Sequence, residues 1–136
     1  MLGLALCGLS ACSSQSDGAS PETETTGTSF AADIQPIFDA HCVQCHAREM
    51  PQAGLVLEDG ESFAMLVGVQ STESALLLVK PGAPEESYLL RKLKGTHLKA
   101  GGSGLGMPLT EGSYTPLAPE TIALIEGWIQ TGAKAN

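Results

Sequence analysis

The sequence predicts an all-α domain, on three observations. Apolar residues recur at helical spacing in two places, Ile34, Ile37 and Phe38 near one end and Ile122, Ile125, Trp128 and Ile129 near the other. The one apolar, partly β-branched stretch between them, Ala75 to Val79, is too short and isolated to justify a sheet. Glycine and proline punctuate the rest, as they do where short helices are joined by loops. About three to five helices are expected, all within residues 30–136. The 136-residue chain is one domain at most, and its 4% aromatic content is thin for a core unless a large apolar group fills the centre.

The first residues carry no fold. Leu2 to Leu9 form an apolar run far too short to span a bilayer as a helix. Leu9-Ser10-Ala11-Cys12 resembles the lipobox at which bacterial lipoprotein signals are cut before a lipid-modified cysteine. On that resemblance residues 1–11 are a signal peptide and Cys12 becomes an acylated N-terminus, two chains giving stable anchoring at about 0.8 kcal/mol per buried methylene. A cleaved signal without lipid and a chance apolar end are the alternatives. Residues 12–29 then form a linker, rich in Ser, Thr and Glu and too polar to pack. Sixteen such residues span roughly 20 to 24 Å as a flexible chain.

The globular part is expected to begin with a helix capped by Asp33, with Pro36 in its first turn and Ile34, Ile37, Phe38 and His41 on one face. Residues 61–68 make a second short helix with Phe63, Leu66 and Val67 inward. Ala75 to Val79 is extended and ends at Lys80-Pro81-Gly82. Residues 84–93 make a third helix, with Leu89, Leu90 and Leu93 inward and Gly95 as its stop. The last helix starts near Pro119 and runs to Gly132, with Glu120 at the positive end of its dipole. Its apolar face matches that of the first helix, so the terminal helices should pack together, with Trp128 as a packing residue.

The first helix delivers Cys42-Val43-Gln44-Cys45-His46. Two thiols and an imidazole at this spacing are what covalent attachment of a c-type haem requires. Thiols about one turn apart reach two positions on one porphyrin edge, and His46 follows as proximal iron ligand. A structural zinc site would want a second Cys or His pair, and the only other cysteines, Cys7 and Cys12, lie in the apolar leader. A thioredoxin-like pair would follow a strand, and Cys42 follows a helix.

The sixth iron ligand is a separate question. Met107 lies in Gly101-Gly102-Ser103-Gly104-Leu105-Gly106-Met107-Pro108-Leu109, where glycines allow close backbone approach to a flat ring. Met50 is too near His46 to reach the opposite face, and Met65 reads as core. His97 is the rival ligand and an open site the third possibility. Arg48, Lys92, Lys94 and Tyr88 are candidates for the haem propionates.

Together with Asp33-Ile34-Gln35-Pro36-Ile37-Phe38, Val79-Lys80-Pro81-Gly82, Ser87-Tyr88-Leu89 and Trp128-Ile129-Gln130-Thr131-Gly132-Ala133, these motifs resemble class I c-type cytochromes, in particular planctomycete-type cytochrome c domains. The resemblance covers roughly residues 30 to 133. It implies a small cytochrome c fold wrapped around one covalent haem c, with His46 proximal and Met107 distal. It also implies a one-electron carrier rather than an enzyme, with its haem attached outside the cytoplasm; the lipobox resemblance at Cys12 adds a lipid anchor on the periplasmic side of a bacterial membrane.

A net charge of -8 excludes a nucleic-acid binder and suits redox partners with basic docking patches. A haem enzyme or gas sensor with a labile sixth ligand, and a fixed haem subunit of a larger membrane oxidoreductase, are the alternatives.

Overall fold

The computed structural model describes residues 27–136. The leader, Cys12 and most of the linker lie outside the described residues. The chain opens with a π-helical turn, Phe30–Ile34, that runs directly into α1, Gln35–His41. Then come a 3-10 turn, Gln52–Gly54, α2, Ser62–Leu66, a 3-10 turn, Pro84–Glu86, and α3, Tyr88–Leu93. A last 3-10 turn, His97–Ala100, precedes two short strands, β1, Leu109–Thr110, and β2, Ser113–Tyr114, and the chain closes with α4, Pro119–Gln130.

The all-α expectation is therefore corrected. Helical residues make up 41% of the described chain, and β1 and β2 pair antiparallel with Leu109 opposite Tyr114 and Thr110 opposite Ser113. Glu111 and Gly112, both at positive φ, form the two-residue turn between them, the backbone that matches strand twist in a tight hairpin. Strands of two residues are too short to show alternation, which is why the sequence hid them. The cytochrome c fold expected as helices wrapped around a cofactor gives way to a mixed structure with long irregular connections.

Short helices make those connections necessary. A helix leaves its first four N–H and last four C=O groups without internal partners, so α2 and α3 can satisfy few of their own. The extended stretch expected at Ala75 to Val79 supplies what they lack. Val79 N donates to Leu66 O at 3.0 Å at the end of α2, and Tyr88 N and Leu89 N donate to Leu77 O and Leu78 O, both at 2.9 Å, at the start of α3. Isolated bridges join Val67 to Val79, Gln70 to Leu77 and Leu77 to Ser87.

Two helix boundaries differ from expectation. Ser29, rather than Asp33, caps the first helix: its hydroxyl accepts from Ala32 N at 3.2 Å, while the Asp33 carboxylate accepts from Ser29 N at 2.8 Å. The helix expected over 84–93 breaks at the buried Ser87, whose hydroxyl accepts from Lys80 N at 2.9 Å and donates to Ala83 O at 2.9 Å. Those bonds hold Ser87 in extended backbone.

The terminal helices pack as their apolar faces predict. Phe30 stands 5.2 Å from both Trp128 and Phe63, centroid to centroid, and Ile34, Phe38, Leu66, Leu90, Ile125 and Ile129 complete the centre. Trp128 is fully buried and donates its Nε1–H to Lys134 O at 2.9 Å, so its one polar atom is satisfied. The chain end closes over the first helix, with Ser29 Oγ donating to Asn136 O at 2.8 Å. A buried Gln35 ties α1 to the next segment, donating to Leu57 O at 3.0 Å and Asp39 Oδ1 at 2.8 Å while accepting from Ser62 Oγ.

Trp128→Ala should lower unfolding free energy by about 3–5 kcal/mol in urea titration, because it empties the junction of the first and last helices. Leu124→Ala, on the exposed side of the same helix, should stay within about 0.5 kcal/mol.

Candidate functional site

The turn after α1 is built by its own backbone. Cys42 N and Val43 N donate to Phe38 O, Cys45 N donates to Cys42 O at 3.1 Å, and His46 N donates to Cys42 O at 3.0 Å. This single helical turn puts Cys42 and Cys45 about one turn apart, as the spacing predicts. Cys42 is half-buried, Cys45 is exposed, and both are free thiols.

His46 is buried and held at both ends. Its carbonyl accepts from Leu57 N at 2.8 Å, and its ring Nδ1 lies 3.1 Å from Leu55 O. A carbonyl only accepts, so Nδ1 carries the proton and Nε2 is left as the basic nitrogen, with no protein partner among the described residues. That is the arrangement in which a histidine is oriented as a metal ligand by the bond its other nitrogen makes.

Cys42, Cys45, His46 and Met107 line one cavity of about 500 Å³, inside the range of roughly 300–1,000 Å³ typical of cofactor sites. Leu55, Leu57, Leu66, Leu78, Leu89 and Leu93 make its walls apolar, and among the described residues Glu73 and Lys92 are the Asp, Glu, Lys or Arg side chains that line it. The donor set fits a covalently held haem: two thiols for thioether bonds, one oriented imidazole and one thioether sulfur.

The other sequence candidates fall into two groups. Met65 lines the cavity as well, contrary to a purely core role, and so do Tyr88 and Lys92. His97 does not: its ring is buried outside the cavity, with Nε2 donating to Gly104 O at 3.0 Å. Arg48 pairs with Glu61 on the surface, and Lys94 pairs with Glu85 and Glu126, so neither reaches the cavity. Glu73 is a site residue that sequence reasoning missed, because a lone carboxylate in a serine- and threonine-rich loop gives no signal of burial.

Competing chemistries find less support. Among the described residues no three His, Cys, Asp or Glu side chains are grouped so as to hold a metal ion between them. Thiol–disulfide exchange needs an activated thiolate, whereas burial, aided by the neighbouring Cys45, pushes the Cys42 thiol from its ordinary 9.0 up to about 12.

No family model, curated protein or solved structure matches the chain.

A thiol whose pKa rises on folding favours the protonated folded state. Its stabilising contribution is complete below about pH 9 and is lost as pH rises through about 12. Burial also raises the Tyr88 and Tyr114 hydroxyls, which adds loss of the same sign. Haem-free Cys42→Ser should therefore show a shallower fall in unfolding free energy across that window than the haem-free parent. Under native conditions Cys45 should react with iodoacetamide well before Cys42.

Proposed function

We propose that this protein is a single-haem c-type electron carrier, the function that its resemblance to class I c-type cytochromes implies. The observation that carries the reading is the convergence of Cys42, Cys45, His46 and Met107 on one cavity. A bound haem would supply a one-electron ferrous–ferric couple.

The chain's own residues prepare that chemistry. Cys42 and Cys45 would fix the group covalently, and Leu55 O holds His46 so that Nε2 is the ligating atom. Met107 would be the second residue to hold the iron, a soft sulfur donor that would raise the reduction potential relative to two histidines. The leucine walls would give the bound group apolar surroundings, which favour its less charged state. Two side chains of the folded chain, His46 and Met107, would hold the iron, which suits electron transfer rather than catalysis.

Glu73 and Lys92 pair with each other, and the exposed cavity residues Gln44, Gln52 and Thr72 carry no ionisable group. The net charge of -8 would then steer a basic partner from a distance, while contact at the cavity mouth is made by amides and apolar groups. Export and acylation at Cys12 complete the reading, since haem attachment of this type belongs outside the cytoplasm.

Expression in cells able to mature c-type cytochromes should give a coloured protein whose mass includes one haem after denaturation. Changing Cys42 and Cys45 together to Ala should abolish that covalent mass. Met107→Ala should remove the ferric methionine-to-iron absorption band and open the ferrous iron to carbon monoxide, whereas His97→Ala and Met65→Ala should leave the band in place. A colourless product of unmodified mass would end the proposal, and a parent protein that binds carbon monoxide without denaturant would turn it toward an enzyme or sensor.

A further inference from the structure

The loop that carries Met107 has no regular secondary structure between the 3-10 turn at residue 100 and β1, so its backbone carbonyls need other partners. Side chains from α3 and the turn after it supply them for three consecutive residues. Lys92 Nζ donates to Ser103 O at 3.0 Å and to Leu105 O at 3.0 Å, and His97 Nε2 donates to Gly104 O between them. The Tyr88 hydroxyl accepts from Ser103 N at 3.2 Å and donates to Ser103 O at 3.1 Å. Lys92 also holds the next step of the loop through its own carbonyl, which accepts from Met107 N at 2.9 Å.

The Lys92 ammonium donates to Ser103 O and Leu105 O and pairs with the Glu73 carboxylate at 2.5 Å. Lys92 is only 8% exposed. The loop's glycines fit this grip. A Cβ on Gly102 would stand 2.5 Å from the Tyr88 ring, and one on Gly104 would stand 2.9 Å from Glu73 Oε1 and 3.0 Å from Lys92 Nζ, at a φ of +74° that side chains rarely adopt. The glycines thus allow the loop to approach these side chains closely.

We propose that Lys92, backed by Glu73 and Tyr88, is the positioning residue that fixes the Met107 loop and so sets how firmly Met107 holds the iron. This inference rests on the haem reading above. Lys92 donates no electron pair to the iron on this account; it acts on the ligand through the loop backbone. Removing its ammonium takes the side-chain donor from Leu105 O, one of two such donors from Ser103 O and the partner charge from Glu73, so the loop loses its hold on α3 and Met107 loosens with it.

The test uses the mature holoprotein. Lys92→Met should weaken the ferric methionine-to-iron band and speed carbon monoxide binding to the ferrous form by about tenfold, the factor equivalent to ~1.4 kcal/mol. Leu90→Ala, which destabilises the same helix through the apolar core and does not line the cavity, should lower the thermal midpoint and keep the band. Lys80→Met, which breaks an exposed pair with Glu86, should change neither. In a Met107→Ala background Lys92→Met should add nothing to the carbon monoxide rate, because its effect runs through Met107.

If Lys92→Met fails to accumulate, Tyr88→Phe keeps the ammonium and removes both hydroxyl bonds to Ser103, and should speed carbon monoxide binding about threefold. A mature Lys92→Met with the parent's band and rate overturns the inference, as does a Tyr88→Phe indistinguishable from the parent when Lys92→Met is lost. A parent without covalent haem overturns the reading beneath it instead.

Discussion

Loops rather than helices wall much of the central cavity, and every inward carbonyl of a loop has to find a donor. That constraint organises the molecule. Helices of five to seven residues carry most of the site, so their ends are open, and the connecting segments either pair with those ends or are gripped by side chains. The 75–79 segment does the first for α2 and α3. Lys92, Tyr88 and His97 do the second for residues 103–105.

This division separates two jobs. The first and last helices meet through Phe30, Ile34, Ile125 and Trp128 in an ordinary apolar core, and the C-terminus is pinned back over Ser29. That core holds α1 in place, and α1 in turn aims the Cys42 to His46 turn. The segment around Met107 is held by polar contacts and glycines, with Tyr114 seated against Gly95 and Gly106 and donating to Leu93 O at 2.6 Å. Apolar packing is tolerant of small changes, whereas a buried ammonium held by two carbonyls and a carboxylate is not, so the two halves of the site should differ in how they fail.

Much of the helical layout was legible because helical periodicity survives in one dimension. The Ile34, Ile37, Phe38 stripe and the Ile122 to Ile129 stripe both became buried faces. The caps were less so: Asp33 and Ser29 are both plausible by residue type, and only the hydrogen bonds decided for Ser29. The hairpin at Leu109 to Tyr114 was not legible at all, since two-residue strands have no period and Glu111 is an unexpected residue at positive φ. The glycines around Met107 were read as room for a flat ring, and three of them prove to admit protein side chains.

By itself the sequence determined the chemistry on offer: two thiols and an imidazole at a spacing set by bonded geometry, a methionine in a glycine-rich loop, and an acidic chain. These are local properties that no neighbour can alter. The tertiary structure decided which of the distant candidates share a cavity, bringing in Met107, Met65, Glu73, Tyr88 and Lys92 and leaving out His97, Arg48 and Lys94. That choice depends on where loops cross and which buried groups must satisfy one another, and sequence separation carries no record of either.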